Sequence, residues 1–167
     1  MKNVFLCTLA LVLMIALPSV VRADEISSPD VPVSFSLPGL DGKQHQLNEW
    51  RNKVILLNFW ASWCSPCQSE IRDLVTYQSK YATAGLQIIG IGLDDEMKLR
   101  NVQRSLEINY PVLLDNTPGN PLMSHMGNRR GVVPYTVVLS RKGTVVFTHT
   151  GVVAKEIFTE QVLPLLQ

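Results

Sequence analysis

Val54-Ile55-Leu56-Leu57-Asn58-Phe59-Trp60-Ala61-Ser62-Trp63-Cys64-Ser65-Pro66-Cys67 combines a strand, a turn and a dithiol within one short stretch. The run Val54 to Trp60 is almost continuously apolar and rich in β-forming residues, as expected of a strand covered on both faces. Cys64 and Cys67 follow at once, at the start of the next helix. Side chains three apart on a helix share a face, close enough for the Cα separation that a disulfide requires. The spacing therefore permits a reversible bond.

The chain around this stretch has 167 residues, enough for one domain of ordinary size with a core of its own. Its apolar excess is concentrated at the N-terminus. Lys2 gives a short positive start, Val4 to Leu17 forms an apolar stretch of 14 residues, and Val21-Arg22-Ala23 fits a small-residue cleavage site. The expected division is a signal peptide over residues 1–23, removed after Ala23, then a flexible lead-in over 24–32 and the folded domain over 33–167. The alternative is an uncleaved membrane anchor: counting on to Val21 gives 18 residues, the lower limit for a spanning helix, but Pro18 and Ser19 interrupt it. Cys7 lies inside the apolar segment without a lipid-attachment pattern and reads as apolar filler.

Export sets both charge and redox context. Removing Lys2 and Arg22 from the 15 basic residues leaves 13 against 14 acidic, a net charge of −1, which does not point to nucleic acid. With Cys7 gone, Cys64 and Cys67 are the remaining cysteines, in a compartment where disulfides persist. A bond closing so short a loop removes little chain entropy and is a poor staple. A redox role explains it better than an inert structural disulfide.

Outward from the central stretch, the pattern supplies further elements. Val33-Ser34-Phe35-Ser36-Leu37 alternates as a half-buried strand, Pro38-Gly39 and Asp41-Gly42 mark turns, and Gln44 to Leu47 pairs back as a short strand, together an N-terminal β extension. Asn48 is read as the N-cap of a single helical turn. After Cys67, Ile71, Leu74, Val75 and Tyr81 follow helical spacing up to Gly85. Leu86 to Leu93 reads as a second buried strand, with Gly90 and Gly92 limiting bulk where other elements come close. Asp94-Asp95-Glu96 opens a helix with Leu99, Val102 and Leu106 inward; helix capping, not metal binding, accounts for the acids. Tyr110 to Leu114 is a third strand, residues 115–121 a turn-rich loop, and Leu122 to Met126 a short helix. Tyr135 to Leu139 and Thr144 to Thr148 form a hairpin, and Ala154 to Leu166 a closing helix. Parallel pairing early and antiparallel pairing late give an α/β, thioredoxin-like fold: a central mixed β-sheet flanked by helices.

The nucleophile of disulfide exchange is the thiolate. Cys64 is expected at the N-cap, where unsatisfied amides and the helix dipole favour a negative sulfur, while Cys67, one turn in, is more enclosed. Attack is therefore assigned to Cys64 and resolution to Cys67. Pro66 suits the first helical turn and stiffens the loop. Trp63 is expected to shelter the site and offer a flat apolar contact to a partner; the alternative is plain core packing. A Cys-x-x-Cys pair also occurs in zinc sites, but zinc needs further ligands. No second cysteine pair exists, and His45, His125 and His149 lack ligand spacing, so neither a metal nor a cofactor is expected. Val133-Pro134 directly precedes a strand, where a proline closes a tight turn in either isomer.

Asn58-Phe59-Trp60-Ala61-Ser62-Trp63-Cys64-Ser65-Pro66-Cys67, followed by Glu70 and later by Val133-Pro134-Tyr135-Thr136, resembles the TlpA/ResA-like thiol:disulfide oxidoreductases of the thioredoxin superfamily, from about Val33 to the C-terminus. The resemblance implies a periplasmic protein, soluble or anchored, that passes electrons to disulfides of other exported proteins. It implies that Pro134 is a cis-proline beside the dithiol, that Val133 pairs with the substrate chain in strand-like fashion, and that Glu70 tunes proton transfer. An exposed acid in the first helical turn is the other reading of Glu70. Asn58 stands where classical thioredoxins bury an aspartate, Arg72 where the family usually has a helix-bending proline, and Ser65 where an acid is common. The segment Gly127-Asn128-Arg129-Arg130-Gly131 is longer and more basic than the family pattern, either facing an acidic partner surface or simply solvated.

The leading expectation is a monomeric reductase supplied by a membrane thiol reductant, with cytochrome c thiols, oxidase assembly factors and oxidised repair enzymes as open substrates. Disulfide oxidase or isomerase is the alternative. A Cu(I)-handling dithiol chaperone is a further one, since soft thiolates suit that ion, though related carriers use a wider spacing and a histidine.

Overall fold

The structure, a computed structural model, describes residues 32–167. The expected signal peptide or anchor and nearly all of the lead-in lie outside the described residues. No helix among the described residues is long and apolar enough to cross a membrane.

The central stretch forms β3 (Val54–Trp60), which follows the N-terminal hairpin β1 (Ser36–Pro38) and β2 (Gln44–Gln46) and a 3₁₀ turn, Leu47–Trp50. Every β3 residue is buried. It pairs in parallel with β4 (Leu86–Gly92) and antiparallel with β6 (Tyr135–Leu139). Two outer strands, β5 (Val112–Leu114) and β7 (Val145–Thr150), complete a mixed sheet of order β5-β4-β3-β6-β7. The antiparallel pair β1-β2 forms a separate two-stranded sheet, the expected β extension, but its first strand is Ser36–Pro38 and not Val33 to Leu37, and Leu47 belongs to the 3₁₀ turn. The crossovers that parallel strands demand run through α1 (Ser65–Tyr81) and α2 (Glu96–Ser105); α3 (Pro121–His125) and α4 (Lys155–Gln161) follow.

Strand alternation sends successive β3 residues to opposite faces. Ile55, Leu57 and Phe59 meet Leu47, Trp50, Met123 and Met126 from the 3₁₀ turn and α3. Val54, Leu56 and Trp60 lie among Cys67, Ile71 and Leu74 of α1, Leu99 and Val102 of α2, and Phe158 of α4. Each large apolar side chain so buried contributes about 1.5–3 kcal/mol. Gly92 faces α2 so closely that a Cβ there would stand 2.4 Å from a Leu99 methyl, and one at Gly90 would stand 3.0 Å from Trp60 Nε1. Both glycines thus set how near the helix layer and the indole lie to the sheet.

Several boundaries differ from the sequence reading for local reasons. The 3₁₀ turn is capped from Gln46, whose amide donates to Glu49 Oε1 at 2.6 Å, so Asn48 lies inside the turn and is not its cap. The third strand begins only at Val112, because Pro111 has no amide to give a ladder. The C-terminal helix stops at Gln161 and continues as a 3₁₀ turn, Leu163–Leu166, because Pro164 cannot donate the next helical bond.

Candidate active site

Parallel β3, β4 and β5 all end at one edge of the sheet, and antiparallel β6 begins there. This edge gathers Ala61 to Cys67, Asp94 and Val133-Pro134. Cys64 is the N-cap of α1, with Pro66 in the first turn, and its Sγ accepts the Cys67 amide at 3.2 Å. The two cysteines are joined as a disulfide with Cα atoms 5.3 Å apart. Cys64 retains 4% exposure and Cys67 none. The outer sulfur therefore sits where helix amides and dipole stabilise a thiolate, and the inner one is sealed.

The turn leading to Cys64 is held from two sides. Ser62 Oγ donates to Asp94 Oδ2, and Gln68 Nε2 donates to the Ser62 carbonyl at 2.7 Å. Burial opposes ionisation of Asp94, but bonds from Ser62 and the Asp95 amide, with Lys98 beside it, leave its pKa below the ordinary carboxylate value. Asp95 caps α2 through the Met97 and Lys98 amides, as the sequence leads one to expect of this acidic run. Fixed in this way, the turn points Trp63 into solvent at 72% exposure, so core packing does not hold for it.

Glu70 is fully buried, which removes its reading as an exposed first-turn acid. It lies three residues after Cys67 on α1, hence on the same helix face. Its Oε1 accepts the Val153 amide at 2.7 Å and its Oε2 accepts Asn58 Nδ2 at 2.8 Å. Burial raises its pKa above the usual carboxylate value, against the pull of those two donors, and Asp73 adds repulsion. Asn58 Nδ2 also reaches Thr136 Oγ1 at 3.3 Å, while Asn58 Oδ1 meets no partner. Turned over, the same amide would accept from a protonated Glu70, so Asn58 can serve both protonation states.

The Val133–Pro134 peptide is cis and Pro134 is buried. Val133 packs against the cluster that contains Cys64 and Cys67. Its neighbours are fully engaged: Asn128 Nδ2 donates to the Val132 carbonyl at 2.6 Å, the Val132 amide faces Asn128 Oδ1 at 3.4 Å, and the Gly151 amide donates to the Pro134 carbonyl at 2.8 Å. No bond among the described residues engages the amide or carbonyl of Val133. Among the described residues Val133 is thus left beside the dithiol cluster with unengaged peptide groups, as strand-like pairing requires.

Val133 packs on the cluster of Cys64 and Cys67, Glu70 shares a face of α1 with Cys67, Pro134 follows Val133 in the chain, and Trp63 is exposed just before Cys64. Sequence reading missed the Asn128 clamp, the Ser62–Asp94 tie and the Val153 amide on Glu70; the turn-rich context of Asn128 was its only local sign. No group among the described residues gathers three His, Cys, Asp or Glu side chains able to hold a metal ion.

Comparison with known proteins agrees with this architecture. The AhpC/TSA family matches residues 30–148. The thiol-disulfide oxidoreductase ResA of Geobacillus thermodenitrificans is 30% identical over 125 residues, covering 73% of this chain and 68% of its own length. The thioredoxin-like protein YneN of Bacillus subtilis is 29% identical over 126 residues, covering 73% and 71%. Among solved structures, a thioredoxin-family thiol:disulfide interchange protein of Chlorobium tepidum superposes with a TM-score of 0.72 at 29% identity, covering 84% of this chain and 99% of that one.

Proposed function

This chain belongs to the AhpC/TSA family and is a thioredoxin-like thiol-disulfide oxidoreductase of the ResA type; from that premise we propose that it is a periplasmic reductase of disulfides in exported proteins, cytochrome c and oxidase maturation among its settings. The observation that carries the proposal is the asymmetry of the dithiol: Cys64 at a helix N-cap beside exposed Trp63 and the free peptide groups of Val133, Cys67 sealed behind it.

In this reading the partner chain lies against Val133 and the flat face of Trp63. The Cys64 thiolate attacks one partner sulfur, the partner S–S bond breaks, and the departing sulfur takes a proton. Cys67 then gives up its proton and attacks Cys64 Sγ, which releases the second partner sulfur as a thiol. Two electrons and two protons have passed to the partner, and the protein holds the Cys64–Cys67 disulfide. A membrane thiol reductant restores the dithiol by the reverse exchange. The ionised Glu70 carboxylate, on the face of α1 shared with Cys67 and made more basic by burial, receives the Cys67 proton, and Asn58 adjusts to either state of the acid.

Equilibration of the purified protein in graded thiol/disulfide buffers tests the direction. The reading expects a potential near that of thioredoxin, about −270 mV; a value near that of a dedicated disulfide donor, about −120 mV, would make the protein an oxidase or isomerase.

A further inference from the structure

The basic segment before Val133 has a defined shape. Asn128 to Gly131 forms a turn in which the Gly131 amide points to the Asn128 carbonyl at 3.5 Å and Gly131 takes a φ of +67°, a conformation that suits glycine. Arg129 and Arg130 fill the two central positions, and both are exposed. The base of the turn is closed by the buried Asn128 side chain gripping both peptide groups of Val132. On the other side the Asn128 amide donates to the Met123 carbonyl at 3.1 Å and Tyr135 Oη donates to the Met126 carbonyl at 2.6 Å. The two arginines are therefore presented on a fixed support.

Their charge is not used by the other described residues. Among the described residues neither arginine forms an ion pair, whereas Asp94 and Glu96 across the site are matched by Lys98 and Arg100. Three residues of chain span at most about 10 Å, so Arg130 lies within that distance of Val133, comparable with the ~8–10 Å over which charges act at ordinary ionic strength. Val132, 46% exposed, supplies apolar surface in the chain between the arginines and Val133.

Resting on the disulfide-exchange reading above, we infer that this turn selects the partner: the preferred substrate is an extended segment carrying Asp or Glu within a few residues of its disulfide cysteine. A guanidinium fork pairs with a carboxylate through two parallel hydrogen bonds, which favours docking of the acidic segment along Val132-Val133 and disfavours a basic one.

The test uses two disulfide-bonded peptides of equal length that differ only in flanking Glu or Lys residues, with uncharged bis(2-hydroxyethyl) disulfide as a third oxidant of the reduced protein. At low ionic strength the acidic peptide should react about tenfold faster than the basic one, and high salt should shrink the gap. Arg129→Ala/Arg130→Ala should bring the ratio of the two peptide rates close to one, and Arg129→Glu/Arg130→Glu should invert it. Equal rates in the parent protein, or a preference that survives in both variants, would overturn the inference while leaving disulfide exchange intact. Failure to react with the uncharged disulfide would overturn the underlying reading and this inference together.

Discussion

Glu70 and Trp63 differ most from their alternative readings. Glu70 is two-faced on local pattern alone, since an acid early in a helix is favourable in solvent. Its burial depends on where β3 and the segment after β7 lie, which brings Asn58 and the Val153 amide to it. The pH consequence has a definite sign. A pKa raised in the folded state above the ordinary 4.5 means that the stability belonging to this group is present below that value and is lost as pH rises through the folded-state pKa. Glu70→Gln should therefore flatten this part of the pH dependence of unfolding, read by denaturant titrations from acid to neutral pH. In the proposed role, the same variant should slow resolution by Cys67 about 10²-fold. Trp63→Ala should change stability by less than about 0.5 kcal/mol, because the ring is exposed. Its exchange with a protein disulfide should nonetheless slow more than its exchange with a small one.

At the scale of elements, legibility followed periodicity. The apolar runs of β3 and β4 and the helical spacing after Cys67 needed no tertiary information, and the hairpin turn at Ser140 to Gly143 was marked by composition. Element ends set by Pro111 and Pro164 were less legible, because each proline acts through a bond that it fails to donate. The N-terminal hairpin hides a further detail. His45 lies between Asp41, at 3.1 Å, and Glu49, at 2.8 Å, and stacks on Trp50. The Glu49 bond, assisted by Asp41 and opposed by partial burial, raises its pKa above 6.5. The Gln46 and Lys43 amides, with His45, lower those of Glu49 and Asp41 respectively. This stabilisation is full below pH 6.5 and lost as pH rises through the folded-state value of His45; on the acid side it fades as the two carboxylates protonate. Protection of the β1 and β2 amides against exchange, taken relative to their intrinsic rates, should be greatest in mildly acidic solution, and His45→Gln should abolish that optimum. In the turn before β6, Asn128→Ala leaves the Val132 peptide groups without their clamp, at a cost of about 1–3 kcal/mol, measurable by denaturant unfolding.

For the whole molecule, the sheet with β3 at its centre provides a rigid edge from which strand ends and one helix N-terminus project. The order of elements and the dithiol were readable because both are local patterns. The packing of Val133 on the cluster that holds Cys64 and Cys67 was reached by resemblance alone, since it depends on β6 running antiparallel beside β3. The central claim is the division of labour between an attacking Cys64 and a resolving Cys67. It is tested most directly by trapping: the Cys67→Ala protein, expressed in its native compartment, should accumulate mixed disulfides through Cys64 that dissolve on addition of thiol, while Cys64→Ala should accumulate almost none. Equal adducts on both variants, or none on Cys67→Ala, would contradict the account.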